Sequence, residues 1–352
     1  MINNWPFYSE EEKDLVLQIL SSGEVSSLSG KYGKKFEKEF SSFCGSNYAL
    51  RIANGTLALL AAYKSIKLGK GDEIITTPRS FIATVTSAME LGANPVFADV
   101  DLDSGAITAE TIEPLITKKT KAICVVHLGG WPADMLRIKI LAKKYNLFLI
   151  EDCSQAHGAK IDNKSVGMFS DIAVWSFATD KIISTGGEGG MITTNDKKLK
   201  NIISSYRNHG KNQKKLNIFV KDNYLYKWVH DSVGINLRLT EIQSAIGLIQ
   251  LRKIKTWNYL RNKNANIFIE MLSEITSVRI PKVPENFVHA WYKFYLYINK
   301  EKLLPTWSRD RIIKEINLSE GTLDLYVKGN LSSFPLQKPS FSKRILASLG
   351  LY

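Results

Sequence analysis

Between Glu73 and Thr194 short β-rich runs alternate with helical or loop segments. The strand candidates are EIITT from Glu73, PVFADV from Pro95, AICVVHL from Ala122, LFLIED from Leu147, DIAVWSF from Asp171 and GMITT from Gly190. Near-continuous apolar strands separated by helices predict a mostly parallel sheet buried on both faces. Upstream, Leu15, Val16, Ile19 and Leu20 repeat at helical spacing, and Phe36, Phe40 and Phe43 do the same in FEKEFSSF. Downstream, Thr240 and Gln243 form a capping box that opens a helix running to about Trp257, with Ile242, Ile246, Ile249 and Leu251 as its apolar positions. The remainder mixes helices with one strand candidate, YKFYLYI. This order predicts a large α/β domain over 1–250 and a smaller C-terminal α/β domain over 251–352, closely packed because no low-complexity linker divides them.

Composition narrows the function. The 352 residues are 44% hydrophobic, enough for more than one simple core. No apolar run has the roughly 18 residues a membrane helix needs, and MINNWPFYSEEEK lacks the basic and apolar regions of a signal peptide. The expectation is a soluble, cytoplasmic protein that binds no membrane. Cys44, Cys124 and Cys153 have no metal-type spacing and are odd in number, so they read as reduced and buried, with no metal site. The net charge of +13 raises nucleic acid as a partner, but the basic stretch from Lys197 to Lys221 lacks the regular aromatic interleaving of a single-strand platform. We expect no nucleic acid; a positive field also suits a nucleotide diphosphate.

In parallel sheets, chemistry collects at the strand ends. LFLIED delivers Asp152 there, where a carboxylate is either a turn residue or the partner that keeps a pyridine nitrogen protonated. DIAVWSF carries Ser176 to its own end, five positions before Lys181, which is an exposed loop lysine or one able to form a Schiff base. Gly186, Gly187, Gly189 and Gly190 mark a tight turn with Glu188 ordering it. At the front, Asn54 caps LALLAAYKSI, so the N–H groups of Gly55 and Thr56 and the Thr56 hydroxyl can accept a phosphate.

Several stretches together carry a resemblance: GKYGKKFEKEF, NGTLAL, GDEIITTP with SFIAT, GANPVFADVD, VHLGGWPADM, IEDCSQAHGA, SFATDKIISTGGEGGMITTND and GINLRLTEIQSAIGLIQL, in order from about Trp5 to Leu251. In these the chain resembles the DegT/DnrJ/EryC1/StrS aminotransferases, which act on nucleotide-linked keto-sugars. The resemblance implies the aspartate-aminotransferase-like fold, type I of the pyridoxal-phosphate-dependent transferases, and pyridoxal 5'-phosphate as cofactor. It further implies Lys181 as the cofactor lysine, Asp152 as partner of the ring nitrogen and Gln155 as a contact to the ring or its 3-hydroxyl. Gly55, Thr56 and Ser176 match phosphate ligands. Phe81 stands where the family stacks an aromatic on the ring, or it simply packs.

Asn236, in GINLR, matches a residue that reaches the neighbouring subunit's cofactor phosphate, which implies a homodimer with shared active sites. Arg238 binds the donor's carboxylate or supports its loop. His127 and His157 follow strands, as substrate or cofactor contacts or as structural histidines. By resemblance L-glutamate donates the amino group, and the product is an amino sugar for a polysaccharide, glycoconjugate or secondary metabolite. The alternatives are a sugar dehydratase, whose members replace the lysine with histidine, and a non-catalytic, regulatory member. Three departures stand out: Ala178 replaces a frequent histidine, Arg79 and Ser80 precede Phe81, and the chain reaches Tyr352 without the family's closing proline-rich loop and terminal helix.

Overall fold

The computed structural model describes residues 5–212 and 229–318. Two helices, α1 (Glu10–Ser22) and α2 (Tyr32–Cys44), lead into β1 (Tyr48–Ile52), α3 (Gly55–Ser65), β2 (Glu73–Thr76), α4 (Ala83–Met89), β3 (Asn94–Phe97) and α5 (Ala109–Ile112). Then follow β4 (Thr120–Val126), α6 (Met135–Lys144), β5 (Phe148–Asp152), the short β6 (Lys160–Ile161) and β7 (Lys164–Ser165), β8 (Ile172–Ser176), β9 (Gly190–Thr194) and α7 (Lys197–Tyr206). The chain continues through α8 (Glu241–Ser273), the two-residue strands β10 (Val278–Arg279), β11 (Phe287–Val288) and β12 (Tyr297–Ile298), and α9 (Arg309–Leu318).

All six strands expected from sequence form, joined by β1 in a seven-stranded sheet of order β1-β9-β8-β5-β4-β2-β3. The steps from β3 to β8 are parallel, while β9 runs antiparallel to both β8 and β1. Side chains alternate across the sheet, as the two-residue period of a strand requires. Ile52, Cys124, Ile150, Val174 and Ile192 pack on one side with Ala58, Ala62 and Tyr63 of α3. Trp175 and Met191 pack on the other side with Phe36 and Phe40 of α2 and Leu248 and Leu251 of α8, while Ile123, Val125 and Leu149 meet Ile138 and Leu141 of α6. Burial on both faces explains why these strands read as continuous apolar runs.

Two local chemistries set the helix positions. The Thr240–Gln243 capping box is present, and α8 then runs to Ser273, well past the expected end near Trp257. No glycine or proline interrupts that stretch, and its buried residues continue through Trp257, Arg261, Asn264 and Ala265. Residue 250 therefore lies within an unbroken helix. The carboxylate of Glu241, at the first turn of α8, is fully buried and accepts from the Tyr32 and Gly33 N–H groups at 2.7 and 3.0 Å. A negative charge at the start of α2 satisfies donors that the helix itself leaves open.

YKFYLYI does not form the expected strand: only Tyr297–Ile298 pairs, against Val278 and Arg279. Its upstream backbone is used elsewhere, since Ala290 N and Lys293 N donate to the carbonyls of Gly130 and Gly129, each at 2.9 Å. A small second core gathers Ile275 and Ile312 with Leu272, Val278, Ile298, Leu303 and Trp307. Cys44, Cys124 and Cys153 are free and buried. Among the described residues no helix is long and apolar enough to cross a membrane. The closing segment to Tyr352 and part of the Lys197–Lys221 stretch lie outside the described residues.

Candidate active site

Strands β2, β4, β5 and β8 end on one edge of the sheet, and the segments that leave them carry most of the candidate residues. Asp152 closes β5 and pairs in register with Val174, two residues before Ser176 closes β8. With adjacent strands about 4.8 Å apart and about 3.3 Å of rise per residue, their Cα atoms lie about 8 Å apart. The phosphate-type elements converge from the far side. Gly190 pairs with Ile52 of β1 and with Ser176 of β8, so the chain leaving β1 turns across Gly190 toward Ser176. A Cβ on Gly55 would lie 2.8 Å from the Ser176 Cβ and 3.1 Å from its Oγ. Only a glycine lets the start of α3 approach that hydroxyl so closely. Asn54 caps the helix by accepting from Leu57 N at 2.9 Å, which leaves the first N–H groups of α3 facing the edge.

The Asp152 carboxylate is 5% exposed and held from two sides, by Thr84 Oγ1 on Oδ2 at 2.9 Å and by Ser154 N on Oδ1 at 3.1 Å. Thr84 is in turn contacted by Ser80 Oγ at 2.9 Å, so the turn that presents Phe81 is anchored on Asp152. Phe81 is 66% exposed, a large apolar ring standing in solvent rather than in the core. Gln155 orients its side chain by accepting from Gly129 N at 2.7 Å.

Lys181 lies in the loop after β8, with its Nζ 3.3 Å from Asp180 Oδ2 and 3.4 Å from the Tyr292 hydroxyl. Tyr292 also donates to Asp180 Oδ2. Burial pushes the Asp180 carboxyl up, but the Tyr292 hydrogen bond and the Lys181 charge outweigh that and hold it below its ordinary range. Burial, then the bond to Asp180, raises the Tyr292 phenol, so it stays protonated. The Trp5 indole N–H donates to the Lys181 carbonyl at 3.0 Å, fixing the loop backbone.

Other candidates sit elsewhere. His157 is fully buried beside the Trp175 and Phe177 rings, at 5.4 and 5.7 Å between centroids. Burial, with the Lys181 and Arg261 charges adding, pushes its pKa down to about 3, so it is a neutral core imidazole with no surface for a substrate. That placement favours the structural alternative for His157. His127 is likewise fully buried: its Nδ1 accepts from Ala133 N at 3.1 Å, so Nε2 carries the proton and faces Glu151 at 3.0 Å. Cys153 stands near this pair, but both imidazole nitrogens are already engaged, leaving no histidine lone pair for a metal.

Asn236 is exposed, and its Oδ1 accepts from Arg238 N at 3.2 Å. Leu237 accepts from Ala53 N at 2.9 Å, which ties this loop beside the start of α3. Arg238 bonds Asn208 Oδ1 at 3.2 Å and lines a cleft of 460 Å³ with Arg51 and Arg207, a cleft whose lining includes neither Lys181 nor Asp152. Glu188 is exposed, and its backbone carbonyl, rather than the carboxylate expected to order the glycine turn, accepts from Thr185 Oγ1 at 2.7 Å and Gln243 Nε2 at 2.8 Å. Sequence reasoning missed Thr84, Asp180 and Tyr292. Asp180 adjoins Lys181 and was open to question, whereas Tyr292 is 111 residues away and carries no local signal.

The chain is similar to known sugar aminotransferases. GDP-perosamine synthase of Escherichia coli O157:H7 is 38% identical over 82% of this chain and 75% of that protein. UDP-N-acetyl-3-dehydro-alpha-D-glucosamine 3-aminotransferase of Acidithiobacillus ferrooxidans is 36% identical over 80% of this chain and 73% of that one. An aminotransferase structure from Psychrobacter cryohalolentis superposes with a TM-score of 0.86 at 40% identity, covering 99% of this chain and 91% of that one. The fold is that of the type I pyridoxal-phosphate-dependent aminotransferases. With the profile of the DegT/DnrJ/EryC1/StrS aminotransferase family matched over residues 6–330, the chain belongs to that family.

Proposed function

We propose that this chain is a cytoplasmic pyridoxal-phosphate-dependent aminotransferase that moves an amino group from L-glutamate to a nucleotide-linked keto-deoxysugar in amino-sugar biosynthesis. The observation that supports the reading is a buried carboxylate at Asp152 and the Gly55–Ser176 approach at one sheet edge, with Lys181 on the loop that leaves β8 there. These residues fit the cofactor: the open N–H groups of α3 and the Ser176 hydroxyl suit a phosphate, and an acid about 8 Å away along the edge suits a ring nitrogen. When bound, pyridoxal phosphate supplies an aldehyde that carries the amino group and a ring that accepts electrons.

In this reading Gly55, Thr56 and Ser176 bind the phosphate, and Asp152, with Thr84 and Ser154 fixing its orientation, holds a proton at the ring nitrogen. Phe81 covers the ring face and excludes water, and Gln155 orients the ring edge. Lys181 Nζ takes and returns the proton at the reacting carbon. Asn236 completes the neighbouring subunit's phosphate site, and Arg238, bonded to Asn208 in a cleft apart from Lys181, supports this loop. Phe81 and its neighbour Ile82 leave adjoining apolar side chains exposed, as do Val233 and Ile235 on the loop that carries Asn236, and a second copy would cover such surface. The two curated relatives carry GDP and UDP in their names, so the nucleotide is best found directly.

The test is purification with the cofactor, absorbance near the visible edge before and after L-glutamate, and a mass-detected screen of keto-sugar nucleotides. A band that moves on adding glutamate, and an amino-sugar product, are expected. A protein that binds the cofactor yet is inert to every amino donor would sink the reading and favour a regulatory role.

A further inference from the structure

The Lys181 amine has two neighbours, one beside it in SFATDK and one far away in the chain. Asp180 Oδ2 lies 3.3 Å from Nζ and the Tyr292 hydroxyl 3.4 Å from it, while the phenol gives its own proton to the same carboxylate oxygen. The three groups close a small ring: Nζ donates to both oxygens, and the phenol accepts from Nζ while donating to Asp180. We propose that Asp180 and Tyr292 form a seat that holds the Lys181 amine whenever it is not covalently engaged, returning it to one position between the two halves of the reaction. This rests on the reading of Lys181 as the cofactor lysine. Neither residue makes or breaks a bond to carbon; Asp180 keeps its charge and Tyr292 its proton, so both are positioning residues.

The seat is built rather than incidental. Tyr292 is 2% exposed and its backbone neighbours are pinned, since Ala290 N and Lys293 N bond the carbonyls of Gly130 and Gly129. Gly129 N also orients Gln155, so one turn after β4 registers both the seat and a candidate ring contact. The Trp5 indole fixes the Lys181 carbonyl, which leaves the side chain as the moving part. A released lysine samples many rotamers, and a proton carrier that must meet the same atom each cycle gains rate when that freedom is removed in advance.

Asp180→Asn, Asp180→Glu and Tyr292→Phe in the full chain test this. In cofactor-free protein at neutral pH, acetic anhydride labelling is read by peptide mass for Lys181 relative to the other lysines. We expect Lys181 to react about two- to fivefold faster in Asp180→Asn, because loss of the ion pair frees the amine from its seat and that pair is partly exposed, and by a smaller factor in Tyr292→Phe. In the holoenzyme the half-reaction with L-glutamate, followed by stopped flow, should slow about tenfold in both variants, with glutamate affinity changed less than about twofold. Asp180→Glu should recover part of the rate. Unchanged Lys181 labelling in variants with wild-type melting temperature overturns the seat. Altered labelling with unaltered half-reaction rates equally overturns the proposal, since the seat would then serve nothing in turnover. A borohydride-reducible cofactor link that persists in Lys181→Ala would instead remove the cofactor-lysine reading, and the labelling result would still report on the seat.

Discussion

Lys181 illustrates how little a residue type says without its neighbours. Alone it is a loop lysine; after a strand ending in Ser176 and before a glycine turn, it becomes a candidate for the cofactor lysine. Replacing it with Ala should abolish both turnover and the borohydride-reducible link to the cofactor, measured by reduction and peptide mass. Lys181→Arg should fail equally, because a guanidinium does not deprotonate to form an imine. Asp152→Asn should retain cofactor but slow turnover by more than roughly a hundredfold, the lower range for losing a positioned electrostatic partner. Near-normal rates would make Asp152 a turn residue held by Thr84 and Ser154. Both positions were legible in the sequence because Asp152 closes β5 and Lys181 follows the end of β8, strand ends that the apolar pattern marks. Tyr292 was not, because its role depends on a contact across 111 residues that no local pattern encodes.

At the scale of elements, close approach and capping set the geometry. Gly55→Ala would bring a methyl to 2.8 Å from the Ser176 Cβ, so α3 must back away from β8. Overpacking of this kind costs about 1–3 kcal/mol, and here it acts where the cofactor phosphate is proposed to bind. Equilibrium dialysis should therefore show cofactor affinity falling about tenfold or more while the helical signal persists. The first helix offers a pH test. Glu12, 1% exposed, receives Lys253 Nζ on both oxygens at 2.7 Å and Gln250 Nε2 at 2.8 Å, with Ser9 closing the capping box. Burial pushes its carboxyl up, but these hydrogen bonds and the Lys253 charge more than offset that, and the net pKa is lowered. A depressed folded pKa contributes stability above the unfolded value and loses it as pH falls through the folded one. Glu12→Gln should thus lower the melting temperature at pH 7, with the gap to wild type closing as pH drops below about 4. A gap that stays constant with pH would mean that packing alone is at work.

At the scale of the whole molecule, the question is whether one chain holds a complete site. Asn236 is exposed and its Oδ1 accepts from Arg238 N on its own loop, while the role proposed for it lies in the neighbouring subunit's site. Mixing Lys181→Ala chains with Asn236→Ala chains decides the matter. If Asn236 acts across the interface, each mixed dimer holds one site with both defects and one with neither. Activity should then recover to about half of wild type per mixed dimer, since one of its two sites is intact. Verified mixed dimers with no recovery would return Asn236 to its own subunit's site. The net charge of +13 belongs to this scale too, as a field that favours anionic substrates before any contact forms.

By itself the sequence determined what short-range chemistry encodes: the six strands from Glu73 to Thr194, the caps at Asn54 and Thr240, and the order of motifs that marks the family. Each depends on periodicity or on residues a few positions apart, and each forms in the structure. Tertiary packing alone decided the rest. It set β1 at the sheet edge beside β9, carried α8 on to Ser273, broke the expected strand YKFYLYI to serve Gly129 and Gly130, buried His157 between aromatic rings, and brought Thr84 to Asp152 and Tyr292 to Lys181. The physical reason is common to all of these: which backbone groups and side chains find partners across long stretches of chain depends on how the layers stack, and that is a property of the packed molecule rather than of any segment.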